Sequence, residues 1–183
     1  MNLCVGSLGR MPSADYRLPP EHPYPAALDD CLTAYRHALG QYSPANIVLI
    51  GRSADGNLAL AMLLRGRDEG LPMPAGLVPL SPEVDLTELG DRLHTNRHVD
   101  VMLPFPLMPI NRLYASDADL GHPCLSPLFG QLKGLPPTFL QTGTRDLFLA
   151  NAAHLHRRLR QAKIPVDLYV GEGRSHGGSL GER

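Results

Sequence analysis

Three residues whose side chains together support nucleophilic catalysis occur in the chain in the order Ser53, Asp146 and His176. A serine hydroxyl attacks an ester carbonyl when an imidazole takes its proton and a carboxylate orients that imidazole. Each residue also has a simpler interpretation. Ser53 and Asp146 could cap the helices that follow them, and His176 could be an ordinary loop residue. Their positions relative to the predicted strands decide between the two interpretations.

Other sequence patterns that could carry chemistry are incomplete. Gly51 and Gly56 have the glycine spacing of a phosphate-binding loop, but asparagine and leucine follow where that loop needs lysine and serine or threonine. No G-x-G-x-x-G dinucleotide motif follows a predicted strand. The histidine pairs at 94 and 98 and at 154 and 156 have no acidic or cysteine partner in a convincing metal-binding pattern. We therefore expect neither a cofactor nor a metal ion.

Short apolar runs alternate with helical patterns along the chain. Strands are predicted over residues 47–50, 76–80, 138–141 and 166–170, and helices over residues 26–39, 57–65 and 149–163. The first run, Ile-Val-Leu-Ile, is uninterrupted, which is typical of a strand covered on both faces. Strands that alternate with helices predict an α/β fold with a mostly parallel sheet flanked by helices.

Ser53, Asp146 and His176 each follow one of these predicted strands. In parallel α/β sheets, ligands bind at the loops that leave the carboxyl ends of the strands. Serine, acid and histidine also occur here in the chain order of α/β-hydrolases. The arrangement favours a catalytic triad over three unrelated structural roles.

The remaining segments give weaker signals. Residues 15–18 look like the end of a strand that is stopped by Pro19 and Pro20. Residues 83–120 contain helix-breaking prolines at positions 104, 106 and 109, and we expect an irregular excursion over the sheet there. The chain has no internal repeat, and residues 1–183 are predicted to form a single domain.

The composition is that of an ordinary globular protein, with 43% hydrophobic residues, 19% charged residues and a net charge of −1. Lysine and arginine are scattered, so the basic patch of a nucleic-acid binder is missing. No apolar run approaches the roughly 18 residues of a membrane span. The three cysteines are widely spaced, and no basic region precedes the short apolar stretch at the start. These features predict a cytoplasmic protein without a disulfide framework.

Four segments carry a family resemblance. Residues 15–30 are DYRLPPEHPYPAALDD, residues 51–58 are GRSADGNL, residues 143–146 are GTRD and residues 175–177 are SHG. In that order they resemble the D-Y-R-L-A-P-E-H-P-F-P-A-A-L-D-D signature, the G-D-S-A-G-G-N-L nucleophile elbow, the acid segment and the H-G-F histidine motif of the hormone-sensitive-lipase-like carboxylesterases. The resemblance extends over nearly the whole chain, and its first segment is long enough to be highly specific.

The resemblance implies an α/β-hydrolase fold and cofactor-free hydrolysis of short- to medium-chain carboxylic esters. It assigns Ser53 as the nucleophile, His176 as the general base and Asp146 as the orienting acid, with the Ala54 N–H as an oxyanion donor. The implied partner is a small-molecule ester. Homodimers, which members of the family often form, are also expected.

Departures from the family pattern predict weak activity. The family's H-G-G-G oxyanion loop would come just before residues 4–8, and a helix and most of a strand would lie between residues 8 and 15, where the sequence has no room for them. We therefore expect the chain to lack these elements, the first strands and the N-terminal cap. Arg52 stands where an acidic residue is usual, and Asp55 replaces the second glycine of the G-x-S-x-G elbow that begins at Gly51. We expect the backbones to crowd Asp55 and its charge to oppose the oxyanion. The alternative is an inactive α/β-hydrolase remnant that acts as a binding or interaction module.

Overall fold

The computed structural model describes residues 9–103 and 105–178 of the chain. The helices in this part are α1 (Ala26–Leu39), α2 (Ala54–Asp68), α3 (Arg92–Thr95), α4 (Met108–Ala115) and α5 (Leu149–Gln161). The strands are β1 (Val48–Arg52), β2 (Gly76–Leu80), β3 (Thr138–Gly143) and β4 (Val166–Gly171). Single 3₁₀ turns lie at Pro44–Asn46 and Pro127–Phe129.

The strands form one sheet in the order β1-β2-β3-β4, and every neighbouring pair is parallel. Parallel neighbours need a crossover connection, which α2 supplies between β1 and β2 and α5 supplies between β3 and β4. All four carboxyl ends therefore lie at the same edge of the sheet. The predicted α/β class and parallel sheet are confirmed.

One apolar cluster joins the three long helices to one face of the sheet. Its fully buried leucines are Leu28 and Leu32 of α1, Leu60 and Leu63 of α2, Leu77 of β2, Leu140 of β3, and Leu155 and Leu159 of α5. The helical members recur at three- or four-residue spacing, which places them on a single stripe of each helix. Burying each such side chain stabilises the fold by about 1.5–3 kcal/mol, so this cluster fixes where the helices lie on the sheet.

The opposite face of the sheet is partly exposed in the described residues. Val48 and Ile50 of β1 are 54% and 49% exposed, and Phe139 of β3 is 38% exposed. β1 is also one of the two edge strands of the described sheet. The prediction that residues 47–50 are covered on both faces therefore does not hold for this part of the chain.

Two further local predictions differ from the structure. Residues 15–18 form no strand, because Arg17 gives its backbone N–H to Asp30 Oδ2 at 2.9 Å and its guanidinium to the same carboxylate. The excursion over residues 83–120 is not wholly irregular, since α3 and α4 lie within it. Pro109 falls in the first turn of α4, where a proline costs no hydrogen bond and its fixed φ suits a helix.

Candidate active site

Ser53 occupies a sharp turn between β1 and α2. Its backbone has φ 56° and ψ −122°, a conformation that L-residues rarely adopt. Its N–H donates to the Leu80 carbonyl at 2.9 Å, and its own carbonyl accepts the N–H groups of Gly56 and Asn57 at 3.0 and 3.2 Å. Strain of this kind costs about 1–3 kcal/mol and persists where the surroundings impose it, as this hydrogen bonding does. The side chain is thereby presented at the carboxyl edge of the sheet.

Two glycines make this turn sterically feasible. A Cβ at Gly51 would overlap the backbone of Asp55, and a Cβ at Gly56 would lie 2.9 Å from Pro82 Cβ. The crowding expected at Asp55 is not found there, because Asp55 is exposed and its Oδ1 accepts a hydrogen bond from the Tyr16 hydroxyl. The close approach of strand and helix falls on Gly51 and Gly56 instead.

Asp146 lies in the turn that follows β3 and is completely buried. Its Oδ2 accepts the Thr142 hydroxyl at 2.9 Å, and its Oδ1 accepts the Phe148 N–H at 2.9 Å. Burial by itself would raise the pKa of Asp146. The hydrogen bond and charge of His176, assisted by donors including Ser81, more than offset that effect and lower the pKa below its ordinary value. Asp146 is therefore an ionised acceptor at neutral pH.

His176, in the loop after β4, is paired with that carboxylate. Its Nδ1 lies 3.2 Å from Asp146 Oδ1, and the residue is 4% exposed. An ionised carboxylate only accepts hydrogen bonds, so Nδ1 carries the proton and Nε2 is left as the basic nitrogen. The Phe148 ring packs edge-on against the imidazole, with a centroid separation of 5.0 Å. The pair is thus buried, oriented and of the kind that activates a nucleophile.

The loops that carry these residues are in direct contact. A Cβ at Gly143 would overlap the Arg174 carbonyl, and that carbonyl accepts the Arg145 N–H at 3.0 Å. The Arg52 guanidinium, next to Ser53, lies against Gly177, next to His176. The described hydrogen bonds join Asp146 to His176 but include none from Ser53 Oγ to the His176 ring. Such bonds are often long before substrate binds, and the complete triad stays a prediction.

Ser81 was missed in the sequence although it follows a predicted strand directly. It is buried, has φ 47°, and its Oγ accepts the Gly177 N–H at 3.2 Å beside the Asp146–His176 pair. Inspecting every strand end, rather than those with catalytic residue types, would have found it. The buried polar residues Asn96 and Asp100 were missed as well, since nothing in the irregular 83–120 pattern distinguishes them.

Ala54, the predicted oxyanion donor, is the first residue of α2 and is exposed. N–H groups in the first turn of a helix have no acceptor within the helix and carry its positive dipole end, so this N–H suits a developing anion. Within residues 9–103 and 105–178, no group of three or more His, Cys, Asp or Glu side chains could hold a metal ion. No helix in this part of the chain is both long and apolar enough to cross a bilayer.

Comparison with known proteins agrees with this geometry. Residues 2–179 match the family model described as the alpha/beta hydrolase fold. A protein named esterase from Acinetobacter venetianus is 38% identical over 162 residues, which cover 86% of this chain and 54% of that protein. The chain thus spans about half the length of such curated relatives.

Solved structures show the same likeness. The crystal structure of esterase E25 superposes on this chain with a TM-score of 0.86 at 41% identity. The match covers 90% of this chain and 51% of the esterase chain. A hormone-sensitive lipase from a metagenome library superposes with a TM-score of 0.85 at 38% identity, covering 88% of this chain and 55% of its own. At these identities the likeness concerns sequence family as well as fold.

Proposed function

We propose, given that this chain belongs to the α/β-hydrolase fold family in its hormone-sensitive-lipase-like branch, that it hydrolyses short- to medium-chain carboxylic esters through Ser53. The observation that carries the proposal is the buried pair in which His176 Nδ1 lies 3.2 Å from Asp146 Oδ1. The strained turn that presents Ser53 lies at the same edge of the sheet. The printed names of the relatives, esterase and hormone-sensitive lipase, support ester substrates.

In the proposed mechanism, Ser53 Oγ attacks the ester carbonyl carbon while His176 Nε2 removes the hydroxyl proton. Asp146 stabilises the imidazolium that forms, and the Ala54 N–H donates to the carbonyl oxygen as it becomes an anion. His176 then returns the proton to the departing alcohol, which leaves an acyl ester on Ser53. Water, deprotonated by His176, then attacks the acyl carbon, and His176 returns that proton to Ser53 Oγ as the carboxylic acid leaves.

We propose further that a polypeptide of these 183 residues turns over weakly. Its sequence contains no H-G-G-G segment, and losing even one oxyanion donor typically costs about 10²–10³ in rate. Hydrolysis of p-nitrophenyl acetate or butyrate should be little above that of a Ser53→Ala control. Adding an upstream H-G-G-G segment should raise the rate far more than any single substitution at the elbow. Robust Ser53-dependent turnover without it would overturn this expectation.

The alternative, an inactive α/β-hydrolase that binds rather than hydrolyses, is favoured by the Asp55 carboxylate in the elbow. A fluorophosphonate probe followed by mass mapping separates the two functions. An adduct on Ser53 that is absent from Ser53→Ala supports the hydrolase, and no adduct in a folded sample supports the binding module.

Two properties of the whole protein are also proposals. The partly exposed apolar face that includes Val48 and Ile50 supports a homodimer. The free cysteines Cys31 and Cys124 support a reducing, cytoplasmic location.

A further inference from the structure

A turn at residues 96–100, inside the 83–120 excursion, sends two buried polar side chains into the candidate site. The N–H groups of Val99 and Asp100 both donate to the Asn96 carbonyl, at 3.0 and 2.8 Å. This brings the Asn96 and Asp100 side chains to the same side of one turn, and they are only 5% and 3% exposed. Neither belongs to the sheet or to a helix that packs on it.

Asn96 holds the acid-bearing loop by its carbonyl groups. Its Nδ2 donates to the Thr144 carbonyl at 3.1 Å and to the Asp146 carbonyl at 2.9 Å. Both protons of the amide are therefore used on the three-residue segment that ends in the acid.

Asp100 holds the same loop and the histidine loop by their N–H groups. Its Oδ2 accepts the Leu147 N–H at 3.0 Å and the His176 N–H at 3.2 Å, while its Oδ1 accepts the Met102 N–H at 2.9 Å. A single carboxylate oxygen thus binds both the residue after Asp146 and His176 itself, and its contact with His176 spans 76 positions of sequence. Burying a carboxylate costs several kcal/mol unless it is well hydrogen-bonded. The three N–H donors to Asp100 therefore strongly favour the arrangement of the two loops that keeps them in place.

We propose that Asn96 and Asp100 are positioning residues that set the geometry of the Asp146–His176 pair. This inference rests on the proposed hydrolytic function. The histidine loop needs such a restraint because Gly177, at φ +67°, and Gly178 follow His176 directly and supply no side chain to anchor it. Misplacing a catalytic group by about 1 Å can cost on the order of a hundredfold in rate.

Asp100→Asn tests the proposal in the full chain, because it keeps the shape but replaces one accepting oxygen by an NH₂ that faces N–H donors. Asp85→Asn is the matched control: Asp85 is equally buried, its Oδ1 accepts the Thr87 N–H at 2.9 Å, and no described hydrogen bond joins its carboxylate to Asp146 or His176. We expect Asp100→Asn to slow fluorophosphonate labelling of Ser53 on the order of tenfold to a hundredfold. Asp85→Asn should label at nearly the wild-type rate. Wild-type labelling in Asp100→Asn would overturn the proposal.

A second readout does not depend on activity. The hydrogen-bonded Nδ1 proton of His176 should give a downfield NMR signal, assigned by its loss in His176→Asn. We expect that signal to shift or broaden in Asp100→Asn and to persist in Asp85→Asn; persistence in both would overturn the proposal. If the wild type does not label at Ser53, the proposed function fails and this signal alone decides the positioning role. If Asp100→Asn does not fold, Asn96→Ala is judged by the same two readouts.

Discussion

Asp55 occupies the elbow position where the family signature has glycine, and the Tyr16 hydroxyl donates a hydrogen bond to its Oδ1. Burial, together with this hydrogen bond and the carboxylate charge, raises the pKa of Tyr16 well above its ordinary value, so the phenol stays a donor at any physiological pH. Tyr16, in the segment at residues 15–18, therefore contacts the nucleophile elbow and holds the Asp55 carboxylate on the exposed side of that turn.

A double-mutant cycle tests this role of Tyr16. Loss of the Tyr16 hydroxyl releases the Asp55 carboxylate, whose negative charge is then free to oppose the oxyanion. Tyr16→Phe should therefore lower Ser53-dependent labelling several-fold when Asp55 is present. It should have little effect in Asp55→Gly, which by itself should raise the labelling rate only modestly. Labelling rates of the four variants give the coupling directly. Equal effects of Tyr16→Phe in both backgrounds would show that the phenol acts elsewhere.

Glu83 is a second carboxylate with an altered environment close to the elbow. Its N–H lies 3.4 Å from the Ser53 carbonyl, and its Oε1 accepts Asn111 Nδ2 of α4 at 2.9 Å. Burial raises the pKa of Glu83 to about 7, and the nearby Glu88 and Asp85 carboxylates add to the rise against the opposing effect of Asn111.

This pKa predicts a pH dependence of stability. The folded state binds the Glu83 proton more tightly than the unfolded state, so its contribution is fully present below about pH 4.5 and is lost as pH rises through about 7. Glu83→Gln should therefore be more stable than wild type by about 1–3 kcal/mol at pH 8, with the difference vanishing near pH 4. Urea unfolding across this range measures it, with the exposed Glu172→Gln as control. A difference independent of pH would contradict the pKa assignment.

At the scale of elements, the site depends on the loops after β3 and β4 crossing without side chains between them. The Arg174 carbonyl occupies the space that a Cβ of Gly143 would need. Gly76, at the start of β2, offers a contrast, since its added Cβ would be 3.6 Å from the Pro137 carbonyl oxygen, an ordinary contact.

Gly143→Ala should consequently separate the acid loop from the histidine loop. We expect a loss of about 1–3 kcal/mol in unfolding free energy, together with slower labelling of Ser53, because overpacking moves the backbone that carries Asp146. Gly76→Ala is the matched control and should change labelling little. Thermal unfolding and probe labelling of both variants check this, and an unperturbed Gly143→Ala would mean that the loops adjust freely.

At the scale of the whole molecule, one face of the sheet is apolar and partly uncovered in the described residues. Parallel sheets are normally buried on both faces, and exposed apolar patches of this kind favour association. β1 adds unpaired backbone groups at the edge of the described sheet, which also favour pairing with another chain.

We predict concentration-dependent self-association of the 183-residue polypeptide through this face. Ile50→Lys should weaken it, because a charge would replace an apolar side chain that is 49% exposed. Leu18→Lys, at a residue that is 59% exposed and outside the sheet, is the control and should leave association unchanged. Sedimentation velocity over a range of concentrations measures both. Equal association of the two variants would place the contact elsewhere.

The sequence by itself determined the elements and the residue types of the candidate site. Helix α1 begins and ends where its apolar spacing and Gly40 predict, and the strand runs are long enough to identify the parallel sheet. These properties are local: a helix or strand reveals its period within about ten residues. Ser53, Asp146 and His176 could be chosen because strand ends converge at one edge of any parallel sheet.

Only the tertiary structure decided how those residues are held. The contact of Asp100 with His176 spans 76 positions, and that of Tyr16 with Asp55 spans 39, distances over which no periodic pattern extends. The exposure of Ile50 has the same origin. An apolar strand run shows that a residue can be buried, but which faces are covered depends on which elements pack there.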